Sequence, residues 1–295
     1  GHTARIAGMD FSPDSQGVVS IDIDGKIIEW DAVNQTEVLS KDWGFVLPLS
    51  PVAFSANGRL TAVTSPDRKR LGVLETEEWK NILIVGPEQN NLNHLAISNS
   101  GNLIAGCDAE GRIIIWDVTN GAKLNMIQTK TRYPIFKIKF SQDENHISSL
   151  SSGQIFVWDI ASGKKITEFA GSEDFGYSPT EKVIASDSTD YNLYFTDEVT
   201  GKKLGTVKSD FISAIEYSPD GQYVAIAGQK YHSQQLSVNN MIYVIDSQTK
   251  ESLPIEMAGI HALVTDIAWN PSQDILASKD EQGNVQIWDL QNGNL

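Results

Sequence analysis

One seven-residue stretch recurs along the chain and constrains its fold more than any other feature. GKIIEWD (25–31) is restated as GRIIIWD (111–117), GQIFVWD (153–159) and GNVQIWD (283–289). Degraded copies follow as RLGVLE (70–75), NLYFTD (192–197) and MIYVID (241–246). The closing acids Asp31, Glu75, Asp117, Asp159, Asp197, Asp246 and Asp289 stand 44, 42, 42, 38, 49 and 43 residues apart. Self-similarity at such a period means one supersecondary unit is used repeatedly, and a unit of that size cannot bury its apolar faces alone.

Each copy sits inside a longer unit with a fixed order of signals. An apolar segment first runs into a turn, as in FSPDSQG (11–17), FSANG (54–58), ISNSG (97–101), FSQDE (140–144), YSPTE (177–181), YSPDG (217–221) and WNPSQD (269–274). A short β-branched or small-residue run such as GVVSI (17–21), NLIAG (102–106) or KVIAS (182–186) comes next, then a turn, then the Trp-Asp segment. A second turn, as in DIASGKKI (159–166), leads into a last apolar piece. Pro, Asp and Gly at these points specify β-turns, and the runs between them are too short for helices. The unit therefore reads as four strands, and the chain as all-β.

This order of signals, with Gly1-His2 at its head, resembles that of the WD40-repeat β-propellers across essentially the whole chain. The resemblance implies a seven-bladed β-propeller of four-stranded antiparallel blades, with repeats at approximately 1–41, 42–85, 86–127, 128–169, 170–207, 208–253 and 254–295 of a single domain, 1–295. Seven such sheets can cover one another's faces in a radial stack. The last repeat is expected to lack its closing fourth strand, and the chain to be a segment of a longer multidomain protein. The resemblance also implies a hydrogen-bonded set that braces the first blade, formed by His2, Ser20, Asp24 and Trp30. Elsewhere the set departs from the pattern. Gly106 and Glu110 replace Ser and Asp in repeat 3, repeat 4 keeps Ser148 and Trp158 without a His, and repeat 7 keeps Ser278 and Trp288 with His261 displaced by one position.

Charge and cysteine content bound the function. With 38 acidic and 23 basic residues the net charge is −15, which disfavours nucleic acid and anionic lipid as partners. The acids are uneven: residues 254–295 hold six with Lys279 as the one base. Cys107, the single cysteine, cannot form an intrachain disulfide, which suits a cytoplasmic setting. No apolar run reaches the ~18 residues of a membrane span, so no membrane insertion is expected.

Motifs that carry chemistry are absent from the sequence: there is no HExxH, GxSxG or phosphate loop. Asp22, Asp24, Gly25 and Asp31 match offsets of a calcium-loop template, but the flanks alternate as strands do and a hairpin turn explains them better. Neither a cofactor nor a metal is expected, and no catalytic residue. The expected function is a non-catalytic interaction scaffold or sensor that binds a peptide or a partner domain, including other domains of the same polypeptide. The alternative is an enzyme or ligand-binding propeller with its site at the channel mouth.

The resemblance places the partner face at the loops between strands 2 and 3 and before strand 1. SPDRKR (65–70) and KTRYP (130–134) there give Arg68, Lys69, Arg70, Lys130, Arg132 and Tyr133, a basic and aromatic set suited to an acidic partner. The longest such connection, QKYHSQQLSVNN (229–240), adds Tyr231 and His232. Lys137 and Lys139 alternate with Phe136, Ile138 and Phe140 on the innermost strand of repeat 4, an arrangement that turns the lysines toward the channel.

Overall fold

A computed structural model describes the chain apart from residues 13, 32–33, 35, 43–51, 56, 66, 132, 233–236, 254–256, 258–259, 273 and 291–295. The described residues form seven antiparallel sheets, each built in sequence order. The first holds β1 (Ile6–Phe11), β2 (Gly17–Asp22), β3 (Lys26–Asp31) and β4 (Glu37–Asp42). The second holds β5 (Val52–Phe54), β6 (Leu60–Thr64), β7 (Leu71–Glu75) and β8 (Lys80–Val85). The third comprises β9 (Leu92–Ile97), β10 (Leu103–Asp108), β11 (Arg112–Asp117) and β12 (Lys123–Gln128), and the fourth β13 (Lys137–Phe140), β14 (His146–Ser151), β15 (Gln154–Asp159) and β16 (Lys165–Ala170). The fifth comprises β17 (Phe175–Tyr177), β18 (Val183–Asp187), β19 (Asn192–Asp197) and β20 (Lys203–Lys208).

The sixth sheet holds β21 (Phe211–Tyr217), β22 (Tyr223–His232) and β23 (Ser237–Asp246), with a fourth edge begun by a bridge between Ile245 and Ser252. The seventh has three strands, β24 (Val264–Trp269), β25 (Ile275–Asp280) and β26 (Val285–Asp289). The fold is a seven-bladed β-propeller whose last blade has three strands among the described residues, in line with the expected missing fourth strand. The chain divides into two compact units, Gly1–Ile166 and Thr167–Leu295.

Within each unit the first strands lie side by side, β1 against β5, β5 against β9 and β9 against β13 in one, β17 against β21 and β21 against β24 in the other. Second strands are buried on both faces, which is why they read as runs of small and β-branched residues instead of alternating. Third strands also bury deeply, and the outermost fourth strands are largely exposed. The cores lie between neighbouring sheets. Leu71, Val73 and Val85 of the second meet Leu92, Ile114 and Trp116 of the third; Ala225, Ile242 and Val244 of the sixth meet Trp269, Leu276 and Trp288 of the seventh. No single sheet holds an apolar interior of its own, so each blade depends on its neighbour.

The turn between the second and third strands requires a left-handed residue, and Gly25 supplies it at φ 82°. In the fifth sheet Tyr191 takes the matching position at φ 60° with its ring 60% exposed. In the sixth sheet the structure differs from the expected long loop. Residues 229–232 and 237–240 continue the hairpin, with pairing maintained from Tyr223–Asp246 out to His232–Ser237. Gln229 Nε2 donates to Asn240 Oδ1 across the extension at 3.0 Å. The polar composition reads as loop, but the backbone N–H and C=O groups that make the pairing are present whatever the side chains are.

Candidate functional site

Three groups of polar side chains bear on function: a bracing network in the first sheet, a buried carboxylate in the fifth, and the basic turns of the second and fourth repeats. In the first sheet Ser20 faces Ile28, two residues before Trp30, and residues two apart on a strand share a face. Trp30 Nε1 donates to Ser20 Oγ at 2.7 Å, and Ser20 Oγ lies 2.7 Å from His2 Nε2. His2 Nδ1 lies 2.8 Å from Asp22 Oδ2. A carboxylate only accepts, so the network assigns the proton to Nδ1 and the chain runs Trp30 to Ser20 to His2 to Asp22. Burial, opposed by Asp22, holds the His2 pKa below its ordinary 6.5.

The carboxylate is therefore Asp22 and not Asp24. Asp22 sits two residues beyond Ser20 on the same face, whereas Asp24 lies exposed in the turn and only its backbone N–H participates, donating to Asp22 Oδ1 at 3.0 Å. The same two-residue displacement holds in repeat 3, where buried Asp108, not Glu110, takes the role. It accepts the N–H groups of Glu110 and Arg112 and, at 2.7 Å, Arg112 Nε. In that repeat Gly106 leaves space that the Leu92 methyls fill, at 3.1 Å from where a Cβ would stand.

In repeat 4 the indole of Trp158 donates to Ser149 Oγ at 2.9 Å, not to Ser148. Ser149 opposes Phe156, two before the Trp, and Ser148 has the opposite parity. Repeat 7 follows the expected pairing, Trp288 Nε1 donating to Ser278 Oγ at 2.8 Å, with His261 exposed.

The fifth sheet solves the same problem without His or Trp. Asp187, at the end of β18 and 4% exposed, accepts the backbone N–H groups of Ser172, Glu173 and Asp174 at 2.9–3.1 Å. Desolvation outweighs these bonds and pushes its pKa up to about 6. Buried Asp174 continues the connection, its Oδ2 accepting the Ile215 N–H of β21 at 2.9 Å. Sequence reasoning missed this pair because its partners are backbone groups, which carry no residue signature. The one available signal was a carboxylate closing a second strand, as in Asp22, Asp108 and Asp280.

The basic turn 65–70 is held by Asp67, which accepts the Ser65 hydroxyl at 2.5 Å and the Lys69 N–H at 3.1 Å. The Ser65 hydroxyl bond, first among several, lowers the Asp67 pKa. Arg68 and Lys69 are half-buried, and their carbonyls accept the N–H groups of Leu92 and Glu88, which docks the turn on the next connection. Arg70 is exposed. Farther on, Lys130 is exposed, Tyr133 is 49% exposed and Phe136 63% exposed. The turn bearing Glu110 stands between the two basic segments: Asn90 of the 86–91 connection bonds Glu110, and Gln128 Nε2 donates to the Glu110 carbonyl at 2.9 Å.

The basic residues are thus two clusters with an acidic turn between them. Arg132 lies outside the described residues. Tyr231 and His232 fall on paired strand backbone at the end of β22. Lys137 and Lys139 are half-buried, beside buried Ile138 and Phe140.

The model for the WD domain, G-beta repeat, matches residues 1–31, 80–117 and 258–289. Actin-interacting protein 1 of Drosophila melanogaster is 26% identical over 221 residues, covering 69% of this chain and 34% of the relative. WD repeat-containing protein 75 of Danio rerio is 23% identical over 253 residues, 83% of this chain and 26% of the relative. The chain spans about a third or less of the length of these curated relatives. Among solved structures, the β-propeller domain of Myceliophteria thermophila Cps50 (Swd1) superposes with a TM-score of 0.75 at 13% identity, over 98% of this chain and 97% of that one.

Proposed function

We propose that this chain, a seven-bladed β-propeller carrying WD40 repeats, is a non-catalytic interaction module that binds an acidic segment of a partner protein on its 2–3 loop face. The observation that carries the reading is a division of labour among polar groups. The buried ones, His2, Ser20, Asp22, Asp108 and Asp187, are committed to holding connections onto strand ends. The exposed ones at the loop face, Arg70, Lys130 and Tyr133, vary from repeat to repeat. A scaffold whose repeats are braced alike and whose loops differ suits recognition by loops. The names of the relatives, one of them an actin-interacting protein, support a protein partner as the class.

Two basic clusters separated by Glu110 favour a partner that presents acids at two points. Crosslinking and pull-down with the wild type and with a variant carrying Arg70→Glu, Lys130→Glu and Tyr133→Ala test this. Partners captured by the wild type should be lost from the variant, and capture should weaken as salt rises. Undiminished capture by a folded variant would overturn the assignment of this face.

A further inference from the structure

The opposite strand ends carry a second feature, which the proposed function does not use. The 1–2 turns of the sixth and seventh sheets, Ser218-Pro219-Asp220 and Asn270-Pro271-Ser272, enclose a groove of about 520 Å³. Pro219, Pro271 and Trp269, the last only 6% exposed, line it together with Asp220, Asp274 and Asp289, and no basic residue is among the described lining. The indole is fixed in place. Trp269 Nε1 donates to the Glu216 carbonyl at 3.1 Å, and the indole stacks on Tyr223 with centroids 6.5 Å apart and planes 14° from parallel. Asp220 is fixed too, because its Oδ1 accepts the Ser218 hydroxyl at 2.6 Å and the Gln222 N–H at 2.9 Å.

We propose that this groove is a docking slot for an arginine-bearing segment of a partner protein. Charge complementarity selects the occupant. A groove lined by two prolines and three carboxylates suits a flat cation on an apolar stem, whose guanidinium can fork to a carboxylate while the stem lies against the prolines. Within the seventh repeat Lys279, the one base of residues 254–295, is engaged elsewhere, 3.5 Å from Asp266. The acidic lining therefore draws cations toward the groove. This site is separate from the basic loop face, and the two would engage segments of opposite charge.

The test uses a fluorescein-labelled peptide, GSARARSG, titrated against the full chain by anisotropy at about 150 mM salt, beside the same peptide with citrulline for each arginine. The arginine peptide should bind and the uncharged isostere should not. Asp274→Lys should weaken binding at least about tenfold, whereas Glu77→Lys, an equal charge change on an exposed turn of the second repeat, should leave it within about twofold. A photo-crosslinker on the peptide should label the 218–220 and 269–275 turns. Equal losses from the two lysine variants, equal binding of the citrulline peptide, crosslinks spread over the surface, or no binding at all would each overturn the proposal. The Arg70→Glu, Lys130→Glu, Tyr133→Ala variant should bind the arginine peptide as the wild type does, so failure at either face is told apart from failure at the other.

Discussion

The first and fifth sheets secure the connection that enters them in two different ways. In the first, a side-chain relay runs from Trp30 through Ser20 and His2 to Asp22. In the fifth, Asp187 gathers three consecutive backbone N–H groups directly. Both place a buried carboxylate at the end of the second strand. The relay needs four particular residues, and the backbone cradle needs one. A blade can therefore lose the recurrent His and Trp and still be anchored, so long as the strand ends on an acid.

Removing that acid should have the largest effect. Asp187→Ala leaves the buried Asp174 N–H and the part-buried Ser172 and Glu173 N–H groups without their acceptor, and at about 1–3 kcal/mol for a buried donor, with smaller additions from the other two, the loss is about 2–4 kcal/mol. Urea denaturation followed by circular dichroism measures it; a loss below about 1 kcal/mol would show that the cradle can be replaced by water. Ser20→Ala should cost about 1–3 kcal/mol by stranding both the Trp30 indole and the His2 ring, read in the same way.

The two anchors should also respond to pH with opposite sign. Asp187 titrates at about 6 in the folded chain and near 3.8 when unfolded. Its contribution is fully present below pH 3.8 and is lost as pH rises through 6, on the order of 3 kcal/mol. His2 is held below 6.5, so its contribution is present above pH 6.5 and is lost as pH falls through its lowered value. Stability measured across pH 4–7 (roughly the window these groups span) for Asp187→Asn and His2→Gln separates them. The first should lose a falling component and the second a rising one.

Two smaller effects sharpen the contrast. Tyr191 holds a left-handed turn that glycine holds in the first sheet, and left-handed backbone costs an L-residue about 1–2 kcal/mol. Tyr191→Gly should thus raise stability by about 1 kcal/mol, partly offset by the greater freedom of glycine in the unfolded chain, as a shift in the urea midpoint reports. Asp24→Ala should change stability by less than about 0.5 kcal/mol, because its carboxylate is exposed and Asp22 does the bonding. A large loss there would reinstate Asp24 in the network.

How much was legible beforehand differs between these residues for a physical reason. Seven units of about four strands follow from local signals, namely turn residues, strand alternation and period, whereas the partners His2, Ser20 and Trp30 and the three-stranded last blade came with the family resemblance. The identity of the carboxylate did not follow, since Asp22 and Asp24 are both acids beside the same turn and share a strand parity. What separates them is that the strand ends at Asp22 and the chain then turns away, so only Asp22 reaches His2. Ser148 and Ser149 are adjacent, and only the pairing register with β15 says which faces the indole.

By itself the sequence determined the repeat, the number of sheets and the strand order, because these depend on turn chemistry and alternation within some forty residues of chain. The tertiary structure alone decided which carboxylate closes each strand, that residues 229–232 and 237–240 pair as a ribbon, that backbone N–H groups fold around Asp187, and that two proline turns from neighbouring sheets line an acidic groove. Each of those depends on the register between strands or on the packing of one sheet against the next. Such contacts join residues distant in sequence, and no local pattern records them.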